Sequence, residues 1–219
     1  MKVLVICDDI WHPGEVIVRG LKPLEKKGYE LDFVMAAKDI LTKDMLYDYD
    51  VILNSKTNSH SPGNASAPWF EPGVTAVMPE DFREYVEAGH GFIALHSGTC
   101  YSNKRQAAMT DMIGCEFLGH PPQCTIRAEM VKESPINTGV ENFEFRDEHY
   151  RINVLCEDAD VFMTTTSDTE AGTQVGGYTR LMGKGRLCVL TPGHNCAVLR
   201  NEQYAKMLCN ALDWCAGNE

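Results

Sequence analysis

Lys2 to Cys7 is one continuous apolar run that stops at Asp8-Asp9, and behind it Val16, Ile17, Leu21 and Leu24 recur at helical spacing. The pattern predicts a buried strand followed by an amphipathic helix. Pro13 stands where a first helical turn tolerates proline, Gly28 stands where a C-terminal cap is expected, and Pro23 is expected to kink the last turns. Tyr29, Leu31 and Phe33 alternate as in a second strand, a short helix is expected over Thr42 to Tyr47, and Val51 to Leu53 is a third apolar strand. Pro79, with Glu80 and Asp81 in the first turn, opens a helix whose stripe is Phe82, Tyr85 and Val86 and which Gly89 closes. Phe92 to Leu95 is a fourth strand, and Ser102 to Ile113 is a helix stopped by Gly114. Beyond that point the pattern turns strand-like at Ile126, Ala128 and Met130, and again at Val161 to Thr165. Tyr178 to Met182 and Arg186 to Leu190 then read as a hairpin across Gly183-Lys184-Gly185. Tyr204, Met207, Leu208, Ala211, Leu212 and Cys215 give a closing amphipathic helix.

Strands alternating with helices in the first half predict an α/β fold, a doubly wound and mainly parallel sheet with right-handed crossovers. The second half adds strands with no helices between them. No internal repeat or linker interrupts the pattern, so residues 1–219 are expected to form a single domain. Between Ser55 and Gly73 runs a polar stretch with one aromatic pair, Trp69-Phe70. It leaves the C-terminal end of a predicted parallel strand, where open α/β sheets keep their ligands, and it is expected either to be a lid or a loose insertion.

Composition narrows the function. With 20 Lys+Arg against 31 Asp+Glu, the formal charge is −11, and no basic run appears, which argues against nucleic acid as a partner. The apolar start ends too early for a signal peptide and no segment is long enough to span a membrane, so a cytoplasmic protein with no membrane partner is expected. The 9 cysteines are scattered without a Cys-x-x-Cys pair and read as buried, reduced thiols.

His96, His120 and His194 each border a strand-to-loop transition. His96 ends a buried strand and is followed by Ser97-Gly98, the sequence of a tight strand-to-helix turn that presents its first side chain at the rim of the sheet. Hydrolases place Ser or Cys there; here it is histidine. Ser97 and Cys100 compete for a nucleophile role, but neighbours on a sharp turn point apart, so a Ser97–His96 couple is disfavoured. Asp147-Glu148-His149-Tyr150 collects two carboxylates, an imidazole and a phenol, either for acid–base or metal chemistry or as a solvated acidic turn. His12, in the loop after the first strand, is expected to enter the same cleft as His96. That loop is acidic, which disfavours a flavin-phosphate site.

In combination, GFIALHSG at Gly91 to Gly98, FLGHPP at Phe117 to Pro122, the DEHY cluster and GKGRLCVLTPGH at Gly183 to His194 resemble the ThuA-like family, named for trehalose utilisation. The resemblance spans essentially the whole chain. It implies a three-layer, flavodoxin-like fold of the class I glutamine amidotransferase type, with histidine where the amidotransferases carry their catalytic cysteine. Glutamine hydrolysis is therefore not expected. The implied role is in carbohydrate metabolism, on trehalose-related sugars or their oxidised keto forms, the alternative being a non-catalytic sugar-binding module on the same shell. One departure is Ser134-Pro135-Ile136, where many members have His-Pro-Ile.

The expected catalytic residues are His96, Glu148, His194 and Asp147. The expected sugar-binding residues are His12, Trp69, Ser97, His120 and Tyr150, with Tyr150 and Trp69 offering flat faces to a pyranose. His96, His120, His194 and Glu148 are also candidate ligands for a divalent metal, for which imidazole with carboxylate suits zinc or manganese. The expected partner is a small-molecule sugar, and a homo-oligomer is left open.

Overall fold

The computed structural model describes residues 1–58 and 70–218. Strands β1 (Lys2–Ile6), β2 (Glu30–Val34), β3 (Val51–Asn54) and β4 (Gly91–Leu95) alternate with helices α1 (Gly14–Leu21), α2 (Ala37–Ile40), α3 (Lys43–Leu46) and α4 (Pro79–Glu87). Helix α5 (Asn103–Ile113) precedes β5 (Cys115–Gly119), β6 (Cys124–Met130), β7 (Phe143–Asp147), β8 (Arg151–Val154), β9 (Asp160–Thr166), β10 (Thr173–Met182) and β11 (Gly185–Leu190). Helices α6 (Cys196–Leu199) and α7 (Glu202–Cys215) close the chain.

Nine strands form one sheet in the order β2-β1-β3-β4-β11-β10-β9-β6-β7, and β5 pairs with β8 in a second, two-stranded sheet. From β2 to β11 the neighbours are parallel; from β11 to β7 every pairing is antiparallel. The continuous apolar runs of β1, β3 and β4 reflect burial on both faces. Val3, Val5, Leu53, Ile93 and Leu95 pack towards α1 and α7 through Ile17, Leu21, Met207 and Leu208. The alternate residues Leu4, Ile6, Ile52, Phe92 and Ala94 pack towards α4 and α5 through Phe82, Val86, Met109 and Met112. The result is the doubly wound α/β arrangement that the pattern predicts, in the three layers that the family resemblance implies.

Two differences have local causes. The first helix stops at Leu21 and continues as a 3-10 turn over Lys22–Lys27, because Pro23 lacks the N–H that an α-helix needs there. Strands β5 and β7 were not predicted from the sequence: β5 is mostly half-exposed, and β7 is a five-residue edge strand whose burial alternates.

Strand direction decides where the chemistry collects. Strands β1, β4 and β11 are parallel, and the antiparallel steps through β10, β9 and β6 bring β7 back to the same sense. The segments after β1, β4, β7 and β11 therefore leave from one edge of the sheet, and β6, which runs the other way, begins at that edge. Those segments carry His12, His96, Glu148, His194 and His120.

Candidate functional site

Two non-glycine residues among those described have left-handed backbone, Asp8 at φ 75° and His96 at φ 47°, and they follow β1 and β4 directly. Such a conformation costs about 1–2 kcal/mol in an ordinary residue and collects where a side chain must be aimed. In the turn His96–Thr99 the chain passes so close to β3 that a Cβ on Gly98 would lie 2.0 Å from the Asn54 carbonyl oxygen. The turn requires glycine at that point.

The side chains meet on one atom. Around Glu148 Oε2 lie His194 Nδ1 at 3.1 Å, His96 Nε2 at 3.5 Å, His120 Nε2 at 3.6 Å and His12 Nε2 at 4.0 Å. His12 is fixed from behind by Asp9, whose Oδ1 accepts from His12 Nδ1 at 2.8 Å and from the backbone of Trp11 and His12. His96 Nδ1 donates to the Thr191 carbonyl at 2.8 Å, and His120 Nδ1 donates to the Pro121 carbonyl at 2.8 Å. A carbonyl only accepts, so in neutral His96 and His120 the proton sits on Nδ1 and the Nε2 lone pair faces Glu148. Lone pairs converging on a carboxylate oxygen repel it unless a cation, either a proton or a metal ion, lies among them.

Electrostatics follow the geometry. Burial disfavours a charged His12, but the hydrogen bond to Asp9 and the nearby Glu148 carboxylate outweigh it and raise its pKa to about 9. Burial also works against the Glu148 carboxylate, and the facing His12, His194 and His96 overturn that effect and hold it far below the usual carboxylate range. His96, fully buried, has its pKa lowered by desolvation, which Glu148 only partly offsets.

The cluster forms the floor of a cleft of about 520 Å³ lined by Trp11, His12, Thr57, Cys100, Phe117, His120, Glu148, Tyr150 and His194. A second cavity of about 790 Å³ shares Trp11, Thr57, Cys100 and Phe117 with it. Tyr150 stacks on His96 with ring centroids 4.0 Å apart, and its hydroxyl lies 3.2 Å from His12 Nε2. Burial pushes the Cys100 thiol up, which keeps it protonated and a poor nucleophile.

His12, Glu148, His120, His194 and Tyr150 thus meet at the cleft, and His96 packs behind Glu148. Two other expected residues do not join them. Asp147, fully buried, accepts from the backbone N–H of Gly193 at 2.7 Å and of His194 at 3.3 Å, so it anchors the loop that carries His194. That arrangement overturns the solvated-turn alternative for the DEHY segment. Ser97 is fully buried with its Oγ lacking a hydrogen-bond partner among the described residues, and it does not line the cleft. Trp69, with most of the expected lid, lies outside the described residues. Ser134 caps a 3-10 turn and lines a different groove, beside Trp214, so the departure from His-Pro-Ile falls away from this cleft.

Asp9 as the partner of His12 and Trp11 as a cleft wall were not evident from the sequence pattern. Trp11 is 65% exposed, and a tryptophan directly before the site histidine was the available signal.

The profile of the ThuA family, described as trehalose utilisation, matches residues 2–215. The chain belongs to the ThuA family. Among curated proteins no relative matches it. Similar folds occur in a ThuA-like protein from Parabacteroides merdae, 19% identical with TM-score 0.75, covering 100% of this chain and 91% of the other. A cytoplasmic protein from Salmonella typhimurium LT2 is 16% identical with TM-score 0.73, covering 98% of this chain and 99% of the other. A glutamine amidotransferase from Thermotoga maritima is 10% identical with TM-score 0.64, covering 99% of this chain and 98% of the other. The ThuA chain therefore has the amidotransferase-like fold, with His96 in the turn after β4. Among the described residues no helix is long and apolar enough to cross a membrane.

Proposed function

We propose that this ThuA protein is an enzyme of sugar utilisation that acts on a trehalose-related disaccharide, in its oxidised keto form, by imidazole–carboxylate proton transfer. The observation that carries the reading is the convergence of four imidazoles on Glu148 at the floor of an aromatic-walled cleft. Two adjoining cavities of about 520 and 790 Å³ offer room for two sugar rings, and Trp11 and Phe117 supply apolar faces for them, whereas the Tyr150 ring expected to do so is buried between His96 and His120.

A keto group acidifies the neighbouring C–H bond. In the proposed step that bond breaks, the proton passes to His120, and the electron pair moves onto the carbonyl oxygen, which takes the Tyr150 hydroxyl proton. His194 and His120 line the cleft and are placed to touch a ligand; His96, behind Glu148, acts as a positioning residue. The protonated Cys100 thiol and the histidine in the turn after β4 argue against glutamine hydrolysis. Nine free thiols and a cytoplasmic structural relative support a cytoplasmic location.

Steady-state turnover on a panel of native and oxidised disaccharides, beside calorimetric binding on the same panel, tests the reading. Turnover of an oxidised member supports it. Saturable binding with no product from any member assigns the protein to the sugar-binding module alternative.

A further inference from the structure

We propose that His12, His96, His194 and Glu148 form a site for one divalent transition-metal ion of the zinc type. One ligand atom from each lies within 4.8 Å of the others. His12 takes the place expected for His120, because it comes off β1 next to His96, with ring centroids 5.0 Å apart.

Three observations point to an ion. First, His96 Nε2 and His194 Nδ1 are buried and have no hydrogen-bond partner among the described residues, although Glu148 Oε2 is 3.5 and 3.1 Å away. The rings approach the carboxylate without aligning on it, as ligands grouped around a common point do. Second, the opposite nitrogens of His12 and His96 are tied to Asp9 and to the Thr191 carbonyl, the outer contacts that orient metal-binding imidazoles and fix their tautomers. Third, the spacing is of the right size. A tetrahedral ion with bonds of about 2.1 Å separates its ligands by about 3.4 Å, and the three nitrogens lie 3.1, 3.5 and 4.0 Å from the Glu148 oxygen.

Three imidazoles and a carboxylate suit zinc better than magnesium, and zinc binds such donors more tightly than manganese. His194 and Glu148 line the cleft, so a fifth ligand would come from it. An ion on His12 Nε2 would also release the Tyr150 hydroxyl towards the cleft. Only the identity of the fifth ligand, a sugar oxygen, rests on the proposed function; the four protein ligands do not.

The test uses the full chain, made without a histidine tag or chelator, loaded with zinc chloride and dialysed. Metal counted by mass spectrometry should be about one zinc per chain, and Cys100→Ser and His120→Asn should keep it. Glu148→Gln and His194→Gln should lower zinc affinity at least about 100-fold with circular dichroism unchanged, and Asp9→Asn about 10–100-fold. The cobalt-loaded protein should show visible ligand-field bands without near-ultraviolet thiolate charge transfer. Substoichiometric zinc, full retention in both Glu148→Gln and His194→Gln, or a thiolate band would overturn the site. Zinc bound through these residues, with every oxidised disaccharide inert, would overturn the sugar reading and leave the metal site standing.

Discussion

Asp147 provides the sharpest stability test of how the site is built. Its Oδ2 accepts both the Gly193 and His194 backbone N–H groups, and the residue is fully buried. Asp147→Ala removes a charge-assisted hydrogen bond worth about 1.5–3 kcal/mol and leaves a second, part-buried N–H without its acceptor at about 1 kcal/mol more. An opposing effect has to be weighed, because Asp147 Oδ1 has no hydrogen-bond partner among the described residues, and deleting a poorly solvated charge returns part of the loss. The 2.7 Å contact to Gly193 decides the balance for destabilisation, and about 3 kcal/mol net is expected for alanine. At roughly 2–4 °C per kcal/mol for a chain of this size, Tm falls by roughly 6–12 °C. Asp147→Asn keeps one acceptor oxygen and should lose about half as much. Urea and thermal unfolding of the three proteins measure it. An alanine variant within about 1 kcal/mol of wild type, or an asparagine variant more stable than wild type, would show that the buried charge outweighs the anchor and would refute the reasoning.

Other parts of the structure give further expectations. Gly98→Ala sets a Cβ against the Asn54 carbonyl and should fail to fold or lose several kcal/mol, roughly 3 or more, in urea titrations, whereas Gly28→Ala, with nothing near its Cβ, should lose only about 1 kcal/mol from its left-handed backbone. Burial lowers the pKa of Lys56 to about 8 against Asp9 and Asp8, which partly offset it. The unfolded chain then binds more protons between pH 8 and 10.5, so this group's contribution to stability rises with pH through that window. Relative to Lys56→Met, wild type should gain roughly 3 kcal/mol between pH 7 and 10.5 in chemical unfolding, and a pH-independent difference would contradict the burial argument.

What the sequence disclosed follows from which forces are local. Strands β1, β3 and β4 were legible because burial on both faces makes them continuous apolar runs, and α7 because one face repeats over fourteen residues. The turn at His96 was legible because a strand runs straight into Ser97-Gly98. Strands β5 and β7 were hidden because half-exposed strands carry mixed residues. The adjacent carboxylates of Asp147 and Glu148 read as a pair, yet one ends β7 facing the Gly193 backbone and the other lies beyond the strand against the histidines. That His12 enters the cleft of His96 was legible because parallel strand ends share one edge, whereas its anchoring by Asp9 was not, since no spacing along the chain marks that contact.

The central claim is that the Glu148–histidine cluster, and not the Cys100 thiol, carries the chemistry. Its most direct measurement is kcat/KM for an oxidised disaccharide with wild type, Glu148→Gln and Cys100→Ser, each checked for folding by circular dichroism. A fall of about 100-fold or more in Glu148→Gln, with Cys100→Ser within about threefold of wild type, is the predicted result. Loss of turnover in Cys100→Ser with Glu148→Gln still active would contradict the account and assign the reaction to the thiol.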